Sequence, residues 1–261
     1  GSGDEIGGLT VRTTAASEVV VALTTGSSNM PTTPDAAQKS RRGRTDVWVG
    51  KFTSQGALAF GTYFGGTGLE AIGGHGLAID KYGRILVAGS TTSAKLEGAS
   101  AGFQTTFGGL GLSPASGDDL SVRGDGFVTT ISQGGRSIVA TSFLGGSAPD
   151  GIEGVSVDVN GVVWLSGATF SPNFKTTQGA HQPSWNGGRD GFVVGLSGDL
   201  KQLVYSTLLG TNADDASRAV VGRTVGGALI AGSVGGPAFP TMGALQAIFG
   251  GTADGLVIGI R

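Results

Sequence analysis

A short stretch that occurs four times constrains this chain more than any other feature. The third copy reads Asp-Gly-Phe-Val-Val-Gly-Leu from Asp190, and the others start at Asp46, Asp125 and Asp254. Asp at the start, a bulky apolar residue two places later and an apolar residue at the end predict a strand with an Asx-type beginning. Because apolar side chains fall on both faces, each strand should be covered on both sides, as in stacked sheets.

The spacing of these copies defines four internal repeats. Successive opening Asp residues are 79, 65 and 64 positions apart, so the first interval, which falls in the second repeat, is the long one. The difference of about fifteen residues predicts a surface insertion at residues 109–123. The predicted repeats are 1–65, 66–145, 146–209 and 210–261, joined in a single domain that covers 1–261.

Each repeat shows the pattern of a four-stranded antiparallel meander. In the third repeat an alternating strand is followed by the tight turn Asn160-Gly161, a second strand, a long connection, the Asp190 strand and a fourth strand. In the first repeat the predicted strands are 9–12, 19–23, 46–52 and 58–64. In the second repeat they are 76–80, 85–89, 125–131 and 137–144. In the third repeat they are 155–159, 162–165, 190–196 and 203–209. The last repeat has no predicted fourth strand.

The long connection has its own repeated signature. A Gln lies in a Gly/Ala-rich turn of every repeat, and in three of them an aromatic residue follows three places later. We expect the Gln to bond backbone groups of the loop while the aromatic residue fixes the loop to its sheet. The residues are Gln38, Gln104, Gln182 and Gln246, with Phe107, Trp185 and Phe249.

These motifs carry a family resemblance over the whole chain. Thr207-Leu208-Leu209-Gly210, an acidic turn, Phe239-Pro240-Thr241-Met242-Gly243-Ala244-Leu245-Gln246, Phe249-Gly250-Gly251 and Asp254-Gly255-Leu256-Val257 resemble the bacterial SBBP repeat, a β-propeller repeat. The resemblance implies an all-β, propeller-like fold with four-stranded blades, the last incomplete. It also implies an exported or cell-surface bacterial protein, extracellular or periplasmic, generally without an assigned activity.

Composition excludes several classes of function. Gly makes up 51 of 261 residues, yet 39% of the chain is hydrophobic, which is typical of a turn-rich globular protein. A net charge of -2 gives no reason to expect nucleic acid as a partner, and no apolar run is long enough for a transmembrane segment. The absence of Cys excludes disulfides, thiolate nucleophiles and Cys-bound metals.

Candidate chemical residues have stronger structural interpretations. The recurrent Asp is expected to bond its own turn, and the acidic residues Glu5, Glu70, Asp150 and Asp214 are expected to be solvated turn residues more readily than Ca²⁺ ligands. We expect His181 to pack, and neither His75 nor His181 lies in a metal or nucleophile motif. Trp185 is the best candidate for an exposed contact. We expect Arg41, Arg42 and Arg44 to be solvated surface residues.

The sequence therefore predicts no catalytic residue, no cofactor and no metal site, and the chain is expected not to be an enzyme. The leading hypothesis is a structural or interaction module that acts as a protein–protein scaffold in a larger assembly. The missing fourth strand of the last repeat leaves an open edge, which predicts a strand from other sequence, a neighbouring subunit or a protein partner. The alternatives are a carbohydrate-binding propeller, with a glycan on Trp185, and a glycosidase, which needs paired carboxylates.

Overall fold

The computed structural model describes residues 1–5, 8–109, 124–239 and 243–260, and these fold into strands joined by turns. Their only helical element is a 3-10 turn, Ala99–Ala101. The strands are β1 Thr10–Thr13, β2 Val19–Thr25, β3 Asp46–Phe52, β4 Leu58–Phe64, β5 Glu70–Ile79, β6 Ile85–Thr91, β7 Asp125–Ile131, β8 Ile138–Leu144, β9 Asp150–Val157, β10 Val163–Thr169, β11 Asp190–Leu196, β12 Leu203–Leu209, β13 Ala216–Gly222, β14 Ala228–Val234 and β15 Asp254–Ile260. The all-β prediction is confirmed.

The strands pair in chain order within each repeat. We call β1–β4, β5–β8, β9–β12 and β13–β15 the first, second, third and fourth units, and every pair of neighbours within a unit is antiparallel. The units do not separate into four distinct sheets, because one parallel bridge between His75 and Gly154 joins the second and third into a single eight-stranded sheet.

The four recurrent Asp strands have the predicted bounds, whereas the first strands of the second and third repeats are longer than predicted. β5 begins at Glu70 and not at residue 76, and β9 begins at Asp150 and not at residue 155. The sequence interpretation placed the acidic residue in a turn before the strand. In the structure it is the first residue of the strand, where it is fully buried.

The turn between the first two strands of a unit is closed by an Asp in the second and third units. Asp158 Oδ1 accepts hydrogen bonds from the backbone N–H groups of Asn160 and Val162, at 2.8 and 3.0 Å. Gly161 follows with a φ of 83°, a left-handed conformation that glycine adopts without strain. Asp80 forms the same bonds to Tyr82 and Arg84 in the second unit.

The core lies between successive units. One apolar cluster joins the first and second units around Val49 and Phe127, and another joins the second and third around Leu86 and Phe192. A smaller cluster joins the third and fourth units around Val193 and Ile230. The first strands of the units also lie side by side, in the order β1, β5, β9 and β13.

Two predictions stay open. Residues 110–123 of the predicted insertion at 109–123 lie outside the described residues. The assignment of the whole chain to a single domain with repeats 1–65, 66–145, 146–209 and 210–261 also stays a prediction. No helix in the described parts of the chain is long and apolar enough to cross a bilayer.

Candidate functional sites

The recurrent Gln and Asp form one hydrogen-bonded network at each junction between units, which we call the junction network. At the third junction Gln182 Nε2 donates to Asp190 Oδ2 at 2.8 Å and to the Ser184 carbonyl at 3.0 Å. Gln182 Oε1 accepts from the Gly210 N–H at 2.7 Å. The same bonds link Gln38, Asp46 and Gly65 at the first junction and Gln104, Asp125 and Gly145 at the second. The predicted role of Gln in bonding loop backbone is therefore confirmed.

The next unit adds a second carboxylate to each network. Asp150 accepts hydrogen bonds from the hydroxyl groups of Thr169 and Ser171 and from the N–H of Gly146. Glu70 and Asp215 are bonded in the corresponding way in the second and fourth units. The prediction that these acids are solvated turn residues is wrong for Glu70 and Asp150, and the buried acid of the fourth unit is Asp215, while Asp214 is exposed.

A glycine lies between the two carboxylates of the second junction. A Cβ on Gly145 would stand 2.5 Å from Asp150 Oδ2 and 3.1 Å from Asp125 Oδ1, closer than a real Cβ approaches an oxygen that cannot move away. Glycine is therefore required here by close approach. The two acids are held near each other by the backbone that passes between them.

Burial dominates the electrostatics of these carboxylates. It raises the pKa of Asp125 to about 6, that of Asp150 to about 7 and that of Asp190 to about 6, although their hydrogen bonds act in the opposite direction. The neighbouring carboxylate Asp125 raises the pKa of Asp150 further, and Asp215 does the same for Asp190. The junction network is thus a buried contact between units that favours the protonated form of its carboxyl groups.

A second set of polar residues lies on the first strands. Glu153 and Arg218 each occupy a β-bulge, where one strand has an extra residue relative to its partner. Arg218 Nη1 lies 3.0 Å from Glu153 Oε2, so the pair connects the third and fourth units. Sequence reasoning missed both residues, although a charged residue that interrupts an apolar strand was the available signal.

The remaining predicted candidates are dispersed over the surface. His75 lies in the irregular part of β5 and is exposed, and His181 is exposed as well, so the prediction that His181 packs is wrong. Trp185 is half-buried against the core between the second and third units and offers little free ring surface. Arg42 forms an exposed ion pair with Glu97. Within the described ranges no group of three or more His, Asp or Glu side chains could hold a metal ion.

The fourth unit has an apolar face that the other units do not leave open. Val193 of β11 is fully buried under the fourth unit, whereas Val257, its equivalent in β15, is 80% exposed. Leu229 occupies the position of the buried Trp164, and Val221 stands directly opposite Leu229 in the sheet. We call Val221, Leu229 and Val257 the exposed face.

Comparisons with known proteins agree with the repeat pattern in one segment. Residues 60–97 match the family model described as SBBP: Beta-propeller repeat. No curated protein matches the chain. The crystal structure of BamB from Moraxella catarrhalis superposes with a TM-score of 0.26 at 12% sequence identity, and the match covers 86% of this chain and 60% of that chain. A TM-score this low carries no argument about fold or function. Through residues 60–97, the chain carries an SBBP beta-propeller repeat.

Proposed function

We propose that this protein is a non-catalytic structural and interaction module with a propeller-like arrangement of units, which acts as a scaffold in a larger assembly. The exposed face is the observation that carries the proposal. Large apolar side chains that stand next to each other on a sheet are typical of a surface that another protein covers. The equivalent positions of the third unit are covered by the fourth, so a β-sheet is the partner structure that fits.

Burial energetics support this assignment. Covering one Val or Leu side chain contributes roughly 1.5–3 kcal/mol, so the three side chains of the exposed face offer several kcal/mol to a partner. Val257 lies at the centre of its strand, with Ala231 directly opposite in β14. The middle of the face therefore consists of Val257 and Ala231 and holds no charged group.

The edge of the fourth unit supports the same function. In the other units the strand that corresponds to β15 is followed by a further strand, so that β3 pairs with β4, β7 with β8 and β11 with β12. Among the described residues no strand pairs with the outer edge of β15. Free backbone donors and acceptors on such an edge favour the addition of a further strand, from other sequence of the same protein, a neighbouring subunit or a protein partner.

The non-catalytic part of the proposal rests on the carboxylates. Glycosidase chemistry needs two carboxyl groups that a substrate can reach from both sides of a bond. The paired acids of the junction networks are fully buried, and they accept hydrogen bonds from hydroxyl, backbone N–H and Gln side-chain groups of the protein. This favours a role in joining units. The exported or cell-surface location is part of the same proposal and rests on the family resemblance.

Site-specific photocrosslinking tests the proposal. A photoreactive phenylalanine analogue replaces Val257 in one variant and Val204 in a matched control, because Val204 is an exposed strand residue of the third unit. We expect position 257 to crosslink to a β-strand segment that mass spectrometry identifies, and position 204 to give no such product. Equal crosslinking at both positions, or none at 257, would contradict the interaction role.

The location is tested separately by fractionating producing cells. We expect the protein in the extracellular, surface-bound or periplasmic fraction. A protein confined to the cytoplasmic fraction would refute this part while leaving the crosslinking result intact.

A further inference from the structure

One cavity of the molecule is formed by turns that are far apart in sequence. It has a volume of about 620 Å³ and lies among the first turns of the second, third and fourth units and the turn that holds Asp199. We propose that this cavity binds a small ring-shaped organic acid of the sugar-acid class, with its carboxylate on Arg223. The proposal is independent of the exposed face and of the interaction role.

The three equivalent turns differ in the residue at the position of Arg223. At this position the second unit has Asp80 and the third has Asp158, as the matching backbone bonds of the three turns show. Both Asp side chains are fully engaged: Asp80 with two N–H groups and Arg84, Asp158 with two N–H groups and Trp164 Nε1. The Arg223 side chain forms no ion pair or hydrogen bond within the described residues, so its five donors are available to a ligand.

A second cation lines the cavity close to an exposed ring. Tyr82 is 65% exposed, and Lys81 Nζ and Arg84 Cζ each lie 5.3 Å from the centre of its ring. Arg84 is also paired with Asp80, whereas Lys81 has no carboxylate partner among the described residues. Asp158 and Asp199 also line the cavity, but both accept hydrogen bonds from protein groups, so Lys81 and Arg223 are the charged lining residues whose donors stay free for a ligand.

The donor types favour a carboxylate over a phosphate. Phosphate groups are usually cradled by backbone N–H groups of turns or helix ends. The turn N–H groups of Tyr82, Arg84, Asn160 and Val162 are already bonded to Asp80 and Asp158. The guanidinium group of Arg223 and the ammonium group of Lys81 remain, and a guanidinium group matches a carboxylate through two parallel hydrogen bonds.

The other lining residues suit a ring with one apolar side. Tyr82 contributes an exposed ring, Val159 an exposed apolar side chain, and Asn160 a polar amide. The volume falls in the range of sites for small organic ligands. A sugar acid combines a carboxylate, hydroxyl groups and an apolar ring side, and so uses all of these features.

Calorimetric titration of the whole chain tests the proposal with glucuronate, glucose and glucose phosphate as probes. We expect binding of glucuronate that is at least about tenfold tighter than binding of either other probe, because only glucuronate offers the carboxylate. Arg223→Gln should weaken glucuronate binding by about tenfold or more, and Tyr82→Ala should weaken it by about fivefold. Arg136→Gln serves as the matched control, because Arg136 is exposed and paired with Asp35 on a different turn.

Each of the following results would contradict a part of the ligand proposal. Glucuronate binding that survives Arg223→Gln, or that Arg136→Gln reduces equally, would overturn the assignment to this cavity. Equal binding of glucose would overturn the carboxylate requirement, and tighter binding of glucose phosphate would overturn the choice of ligand class. Absence of glucuronate binding by a chain that unfolds cooperatively would overturn the proposal altogether.

Discussion

The third and fourth units carry nearly the same strands but place them in different surroundings. Val193 of β11 lies in an apolar cluster with Val220, Ile230 and Ile260, whereas Val257 of β15 faces solvent. Gln182 is buried in its junction network, while Gln246 makes the equivalent bond to Asp254 on the surface. The same local sequence therefore serves as core in one unit and as surface in the next, and the difference lies only in what covers it.

The largest expected contrast comes from placing a charge at the two equivalent valines. Val193→Asp should reduce the free energy of unfolding by about 4 kcal/mol or more, because a buried carboxylate without a partner loses its hydration. Val257→Asp should change it by less than about 0.5 kcal/mol, because the side chain stays in water. Urea unfolding of the two variants measures both values. A large loss in Val257→Asp would show that the exposed face is covered within the isolated chain.

The pH dependence of stability sharpens the comparison at the junctions. The pKa of Asp150 is raised to about 7 in the folded chain, above its ordinary value of 3.8, so the folded state binds more protons between these values. Its contribution is therefore fully present below the unfolded pKa and is lost as pH rises through the folded pKa. We expect the free energy of unfolding to fall on the order of 2 kcal/mol between pH 5 and pH 8.

Asp150→Asn should flatten that slope, because the side chain no longer ionises. Asp254→Asn is the control, since this carboxylate is half-exposed at the open end of the fourth unit. Chemical unfolding at a series of pH values gives the slopes. An unchanged slope in Asp150→Asn would remove Asp150 as its source.

Glycine substitutions compare the buried second junction with the exposed strand β15 of the fourth unit. Gly145→Ala should cost about 1–3 kcal/mol, because the new Cβ would stand 2.5 Å from Asp150 Oδ2 and force the network apart. Gly255→Ala meets no atom within 4 Å and should stay within about 0.5 kcal/mol of the parent chain. Thermal unfolding of both variants measures these changes in stability. Equal effects would mean that the second junction adapts without cost.

The smallest expected contrast concerns the repeated glutamine. Gln182→Ala should cost about 1–2 kcal/mol, since it removes one of the two donors to the buried Asp190 Oδ2 and leaves the Gly210 N–H without its partner. Gln246→Ala should cost a few tenths of a kcal/mol, because water replaces the bonds of an exposed side chain. Denaturant midpoints of the two variants provide the test, and a reversed order would contradict the junction network as a stabilising element.

The sequence alone determined the local elements of this protein. Alternating apolar residues, Gly-containing turns and the recurrent Asp located all four Asp strands with their bounds, and the recurrent Gln indicated a side chain that bonds loop backbone. These features depend on residues close in sequence, because strand pairing in a meander joins neighbours. The match of residues 60–97 to the SBBP repeat agrees with that reading.

Only the tertiary structure decided which of these repeated residues are buried. Glu70 and Asp150 look like solvated turn acids in sequence, yet the preceding unit covers them, and the burial of an acid depends on residues that are distant along the chain. The bulges that bring Glu153 to Arg218 are likewise properties of paired strands. The cavity beside Arg223 joins turns that lie about 65 to 80 residues apart, so no local pattern encodes it. Local sequence sets the path of the backbone, and contacts between units set the environment in which each side chain acts.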